Sequence, residues 1–158
     1  MKAKVLTVSD GVVAGTRDDK SGAALGEQLA AADYDVVEHR IVADGVESVY
    51  AALVEMADGF AGLVVTTGGT GFGPRDLTPE GTRAAIEREA PGLVEAIRRV
   101  SDAEGRGFGM LSRAVAGTRG EALICNLPGS ASGAREGLDV ILPIVPHALD
   151  LLAGGRPH

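Results

Sequence analysis

The segment VVTTGGTGFGPRDLTPEGT, Val64 to Thr82, governs the reading of the chain. Its start continues GLVVTT, Gly62 to Thr67, an apolar run of the kind that fills a buried parallel strand. Four glycines follow within the six residues Gly68 to Gly73, where a plain turn needs one or two. Arg75 and Asp76 come next. Thr78 and Pro79 then mark a helix start, with Thr78 as the expected N-cap and Pro79 in the first turn. Strand, glycine loop and helix in this order put backbone at the carboxyl end of a strand, where open parallel sheets bind their ligands.

The flanking sequence repeats the alternation. KVLTVS, Lys4 to Ser9, reads as a strand, GVVAGTRDDKSG as a loop, and Ser21 to Ala32 as a helix with Leu25, Leu29 and Ala32 inward. YDVVEHRIV is a second strand. Asp44 to Asp58 is a second helix, with Val46, Val49, Tyr50, Leu53 and Met56 on one face. The order β-α-β-α-β predicts a parallel sheet covered by helices on both faces. Beyond the glycine loop, LTPEGTRAAIERE and PGLVEAIRRVSDA read as helices, the latter with Leu93, Val94, Ile97 and Val100 inward. AVAGTRGEALICNL reads as two short strands around a Thr-Arg-Gly turn. Ser130 to Gly155 is one helix or two, divided by Pro143 and Pro146. The expectation is one α/β domain over residues 1–158, a three-layer α-β-α arrangement with a mostly parallel central sheet.

Composition narrows the function. A chain of 158 residues that is 45% apolar can bury a real core. Aromatic residues are only 3% and Trp is absent, which argues against base-stacking platforms. With a net charge of -7, anions bind only where local cations or amides override the global field, and duplex nucleic acid is a poor partner. Cys125 is the only cysteine, so no intrachain disulfide and no cysteine zinc cluster can form. Its place in the strand ALIC makes it a small core side chain. His39, His147 and His158 are scattered. No apolar run reaches membrane-spanning length, and a cytoplasmic location is expected.

Four loops should converge at the carboxyl edge of the sheet: Ser9-Asp10, Asp44-Gly45, the glycine loop, and Asn126 to Ser130. Gly68, Gly69 and Gly71, with Thr70 among them, can turn successive amides toward an anion. A tight loop whose glycines serve packing is the alternative. The loop is not a Walker A motif, and Pro74 with Arg75-Asp76 spoils a dinucleotide fingerprint.

The longer string is more particular. TTGGTGFGPRDLTPE, PGLVEAIR, LSRAVAGTRG, NLPGS and ILPIVPHALDLLAG, preceded by VLTVSD and DKSG, resemble in order the Mog/MoaB family of molybdenum-cofactor biosynthesis proteins. The resemblance implies a fold of the molybdopterin-binding domain type, a homotrimer, and an adenylyltransferase. ATP and molybdopterin would be the substrates and Mg²⁺ the cofactor. The products would be adenylyl-molybdopterin, passed to a metal-insertion protein, and pyrophosphate. A MoaB-type protein that binds molybdopterin without turnover is the alternative.

By themselves, Asp76 reads as a helix-start acid and Asp44 as an Asp-Gly turn residue. The resemblance implies instead that both hold Mg²⁺ and serve catalysis. Ser9 and Asp10 are candidates for nucleotide contact or for loop capping. Asn126, Pro128, Gly129 and Ser130 are candidates for AMP, with helix capping as the second role of Ser130. Ser101 and Ser112 are candidates for the pterin or its phosphate. Arg75, Arg113 and Arg119 are candidates for local positive potential. Two departures stand out: Ala131 follows NLPGS where relatives often carry Pro, and Gly81 stands where Ala is common.

Overall fold

The computed structural model describes residues 1–155 except Glu104 and Arg106, so His158 lies outside the described residues. Strand β1 (Lys2–Val8) leads through a short helix α1 (Asp10–Val13) to α2 (Lys20–Ala31). Then come β2 (Asp35–Val42), α3 (Val46–Ala57), β3 (Gly62–Thr67) and α4 (Thr78–Ala85). The second half holds β4 (Arg88–Glu89), α5 (Pro91–Asp102), a 3₁₀ turn (Phe108–Leu111), β5 (Ala116–Arg119), β6 (Ala122–Leu127), α6 (Ala131–Ile141) and α7 (Val145–Leu152).

The sheet runs β2-β1-β3-β6-β5-β4. The first four strands are mutually parallel, while β5 is antiparallel to both β6 and β4. All six residues of β3 are buried, as its unbroken apolar run requires. Neighbouring residues on the central strands feed opposite faces. Val5, Leu63, Val65, Leu123 and Cys125 pack into the core shared with α2, α5, α6 and α7. Leu6, Val8, Val64 and Ile124 pack into the core shared with α3 and α4. These are the three layers read from the sequence. Each fully buried leucine or valine contributes roughly 1.5–3 kcal/mol. No helix among the described residues is long and apolar enough to cross a membrane.

Several local expectations are corrected. The loop after β1 contains helix α1, capped by Ser9, whose Oγ accepts from the Val12 N–H. Thr78 does not cap α4: Leu77 holds that position, and the Thr78 hydroxyl donates to Gly68 O at 2.9 Å. On α3, Val49, Leu53 and Met56 are fully buried, but Val46 and Tyr50 are exposed. On α5, Val94 and Ile97 point inward, Leu93 is half-buried and Val100 is exposed. Ala32 is an exposed cap residue at the end of α2. The carboxyl-terminal segment is two helices, with Pro143 between them and Pro146 in the first turn of α7.

Gly81 has a packing reason. A Cβ there would lie 2.7 Å from Val49 Cβ and 2.8 Å from Val46 O. Its lack of a side chain lets α4 press directly on α3.

Candidate functional site at the carboxyl edge of the sheet

The parallel strands end at Val8, Val42, Thr67 and Leu127, and their loops meet at one edge. Gly68 and Gly69 take left-handed φ values of 96° and 66°, open to glycine at little cost. Gly68 also sits where a Cβ would reach within 2.2 Å of Val8 O. Gly71 is not left-handed, contrary to expectation; a Cβ there would approach Asp76 Oδ2 to 3.0 Å. Thr67 Oγ1 donates to Pro128 O at 2.7 Å, tying the loops after β3 and β6 together.

Arg113 fixes the glycine loop from outside. Its backbone N–H donates to Thr70 O at 2.9 Å and its Nε to Gly71 O at 2.8 Å. The rest of the guanidinium bonds Asp76 O and the Glu80 carboxylate. The Arg113 hydrogen bond holds the Glu80 carboxyl below the usual carboxylate range, against the opposing effect of burial.

The carboxylates of Asp44 and Asp76 abut this loop from two sides. Asp44 Oδ2 accepts the Asp10 N–H at 2.8 Å, while a Cβ on Gly69 would lie 3.0 Å from Asp44 Oδ1. Asp76 Oδ2 accepts the Gly73 N–H at 2.9 Å. Each carboxylate is therefore anchored by one oxygen, and the other has no hydrogen bond among the described residues. Asp76 precedes the N-cap of α4, so it does not cap that helix. Asp10 is a clasp. Arg75 reaches its two oxygens at 2.9 and 3.0 Å and also bonds Asp44 O at 2.8 Å. The Arg75 hydrogen bond keeps the Asp10 carboxyl below its ordinary value.

Two cavities open on either side of the loop. One, of about 620 Å³, is enclosed by α5, the 3₁₀ turn and the start of α6, with Ile97, Phe108, Leu111 and Pro128 as its apolar lining. Arg98, Ser101, Ser112, Ser132 and Glu136 add polar groups. The other, of about 630 Å³, lies between the loop before α2 and the glycine loop, lined by Ser9, Arg17, Asp18, Asp19, Lys20, Ser21 and Asp44. Gly69, Asp76, Gly129 and Ser130 border both.

Most candidates read from the sequence gather here. Gly68 lines the second cavity with Ser9 and Asp44, while Thr70, Gly71, Ser101, Ser112 and Pro128 line the first. Ser130 caps α6 through Gly133 N–H at 3.1 Å while bordering both. Asn126 does not take part. It is fully buried, its amide donates to Thr66 and Thr82 hydroxyls at 2.9 Å each, and its Oδ1 accepts the Val115 N–H at 3.0 Å. Asp10 lines neither cavity. Nor do Arg75, Arg113 or Arg119, the last paired with Asp58 at 2.7 Å. The cavity cations are Arg17, Lys20 and Arg98, which sequence reasoning missed. The strings DKSG, which holds Lys20, and PGLVEAIR, which ends in Arg98, were the nearest signals.

Cys125 is buried, and burial pushes its thiol up to about 12, which removes it as a nucleophile. Thr7, Asp19 and His39 do meet, but His39 presents the same Nε2 to Asp19 at 2.9 Å and to Thr7 at 3.1 Å. A catalytic triad needs the two ring nitrogens on different partners. Here the cluster braces Asp19, whose Oδ1 caps α2 through the Gly22 N–H at 2.8 Å.

The donor set restricts any metal. Among the described residues no three His, Cys, Asp or Glu side chains group together, which argues against a closed transition-metal site. Two half-free carboxylates suit Mg²⁺, which takes one or two carboxylates and completes its shell with phosphate oxygens and water.

Comparison with known proteins gives the family of the chain. A family model described as a probable molybdopterin binding domain matches residues 4–147. A molybdopterin adenylyltransferase of Helicobacter pylori is 39% identical over 153 residues, 95% of this chain and 86% of that protein. Molybdenum cofactor biosynthesis protein B of Bacillus cereus is 37% identical, covering 93% and 88%. The crystal structure of the molybdopterin biosynthesis enzyme MoaB from Thermus thermophilus superposes with a TM-score of 0.90 at 44% identity, covering 98% of both chains.

Proposed function

Because this chain belongs to the molybdopterin-binding domain family of molybdenum cofactor biosynthesis, we propose that it transfers the adenylyl group of ATP to the terminal phosphate of molybdopterin. A phosphate oxygen of molybdopterin attacks the α-phosphorus of ATP, the bond to the β-phosphate bridging oxygen breaks, and pyrophosphate leaves. The observation that carries this reading is the pair of adjoining cavities that share Gly69, Asp76, Gly129 and Ser130 as a border. Two ligands seated on either side bring their reactive ends together there.

The apolar cavity suits the pyranopterin. The cavity with Arg17, Lys20 and Ser21 at the start of α2 suits the triphosphate. Both reactants are anions, so the chain's task is positioning and neutralisation. The amides of Gly68 to Gly71 would hold phosphate oxygens without a mobile counter-charge. Asp44 and Asp76 would hold Mg²⁺ through their free oxygens. Bound there, the ion supplies Lewis-acid neutralisation of the phosphates.

Incubation of the protein with molybdopterin and MgATP, followed by mass spectrometry, should yield adenylyl-molybdopterin. Molybdopterin binding without product would favour the second reading, a binding protein of MoaB type, with which the likeness to MoaB proteins is consistent. The adenylyltransferase reading also includes a homotrimer and hand-over of product to a metal-insertion protein. The edge strand β2 supports self-association, since Val37 and Ile41 remain 45% and 43% exposed on it. Sedimentation at micromolar concentration should give a trimer; a monomer would count against it.

A further inference from the structure

We infer that Glu136 selects the heterocycle that enters the apolar cavity, by accepting two N–H donors from the amino-pyrimidinone edge of the pterin. This rests on the function proposed above. Glu136 lies on α6, one turn beyond Ser132, so the two share the helix face that lines this cavity. Its carboxylate has no hydrogen bond or ion pair among the described residues. The neighbouring charges are engaged elsewhere: Arg135 pairs with Glu27 at 2.8 Å, and Asp139 accepts from Gln28 at 2.6 Å. Arg98, the cation of the same cavity, gives its Nε and Nη2 to Ser112 O and Ala114 O at 2.9 and 2.7 Å. An acid in a largely apolar cavity with its acceptors unmatched is a group shaped for a ligand donor.

Position and chemistry then agree on which donor. Glu136 is six residues along α6 from Ser130, so at 1.5 Å per residue it stands roughly 9 Å from the border shared by the cavities. A pyranopterin carries its phosphate at one end and its 2-amino-4-oxopyrimidine ring at the other. With the phosphate at the border, the pyrimidine ring extends along α6 toward Glu136. That ring presents its ring N–H and its amino N–H side by side, and a carboxylate accepts such a parallel pair with both oxygens. Adenine offers an amino N–H beside a bare ring nitrogen, and a carboxylate repels that lone pair. Glu136 therefore favours the pterin and rejects the nucleotide base from this cavity.

The test is Glu136→Gln, which keeps the size but replaces one acceptor oxygen with a donor. The readouts are molybdopterin and ATP affinities, taken separately, and thermal unfolding. The expected result is a loss of molybdopterin affinity of about 10- to 100-fold, with ATP affinity and melting temperature unchanged. Undiminished molybdopterin affinity in the variant, against a wild type that binds, would overturn the role of Glu136 alone. A loss of ATP affinity instead would overturn the assignment of this cavity. Failure of the wild type to bind molybdopterin would overturn the proposed function and this inference with it.

Discussion

Asp10 and Asp44, 34 residues apart, each donate their backbone N–H to the other's carboxylate, at 2.8 Å from Asp10 to Asp44 and 3.1 Å in return. The loops after β1 and β2 are locked by this exchange, and Arg75 from the loop after β3 lies across it. Asp44 is thereby held by groups that line neither cavity.

Arg75→Met should leave the fold intact, since the pair is solvent-exposed, yet lower turnover by ~10- to 100-fold by loosening Asp44. The sign of the pH effect follows from Asp10, whose pKa is depressed in the folded state. The ion pair contributes fully above the ordinary carboxylate range and is lost as pH falls through the lowered value. Melting temperatures of wild type and variant should therefore converge in acid. Turnover equal to wild type would show that the clasp does not serve the site.

Asp76→Asn should fold normally, because an amide oxygen can still accept the Gly73 N–H. Product formation should fall by ~100-fold or more, while molybdopterin affinity changes little. Wild-type turnover at saturating Mg²⁺ would defeat the assignment.

Gly69→Val tests the loop. At φ 66° a side chain costs about 1–2 kcal/mol, and its Cβ would lie 2.3 Å from Thr78 Oγ1 and 3.0 Å from Asp44 Oδ1. Some stability is lost, and the displaced amides and Asp44 should weaken ATP binding at least ~10-fold among molecules still folded. A lower melting temperature with undiminished ATP affinity would make the loop a structural turn only.

Gly81→Ala should behave in the opposite way. The added methyl meets Val49 Cβ and Val46 O, and overpacking of this kind costs about 1–3 kcal/mol. The helix propensity gained offsets part of it. Denaturant unfolding should show the loss, with turnover per folded molecule unchanged. A variant as stable as wild type would mean that α3 and α4 part easily.

The layers and the mostly parallel sheet were legible because each central strand is a short apolar run followed by a loop and a periodic helix, while the order of the strands in the sheet was not. The four loops at the carboxyl edge followed from that alternation. Individual side chains were less so. Val46, Tyr50 and Val100 match the helical period, but the neighbouring layer does not extend over them. Thr78 has the right chemistry for a cap, yet Gly68 O claims its hydroxyl. Asn126 sits in a site-like motif but turns its amide between the sheet and α4, toward Thr66 and Thr82. Arg98 and Glu136 belong to helices far along the chain from the glycine loop. Their membership of the cavity depends on how α5 and α6 dock, which no local pattern records.

The border between the two cavities is built largely of backbone, from Gly69 and Gly129 with Asp76 and Ser130. A Cβ on Gly129 would lie only 3.3 Å from Gly68 Cα. So thin a partition cannot insulate its two sides. Whatever occupies one cavity alters the field and shape met by the occupant of the other. Equilibrium requires the effect to be mutual: the factor by which the first ligand changes the affinity of the second is the factor by which the second changes the first. Two negatively charged occupants would oppose each other across this partition, and a cation held by Asp44 and Asp76 would reverse the sign. Whether the two ligands hinder or help each other is then decided across one glycine-built wall.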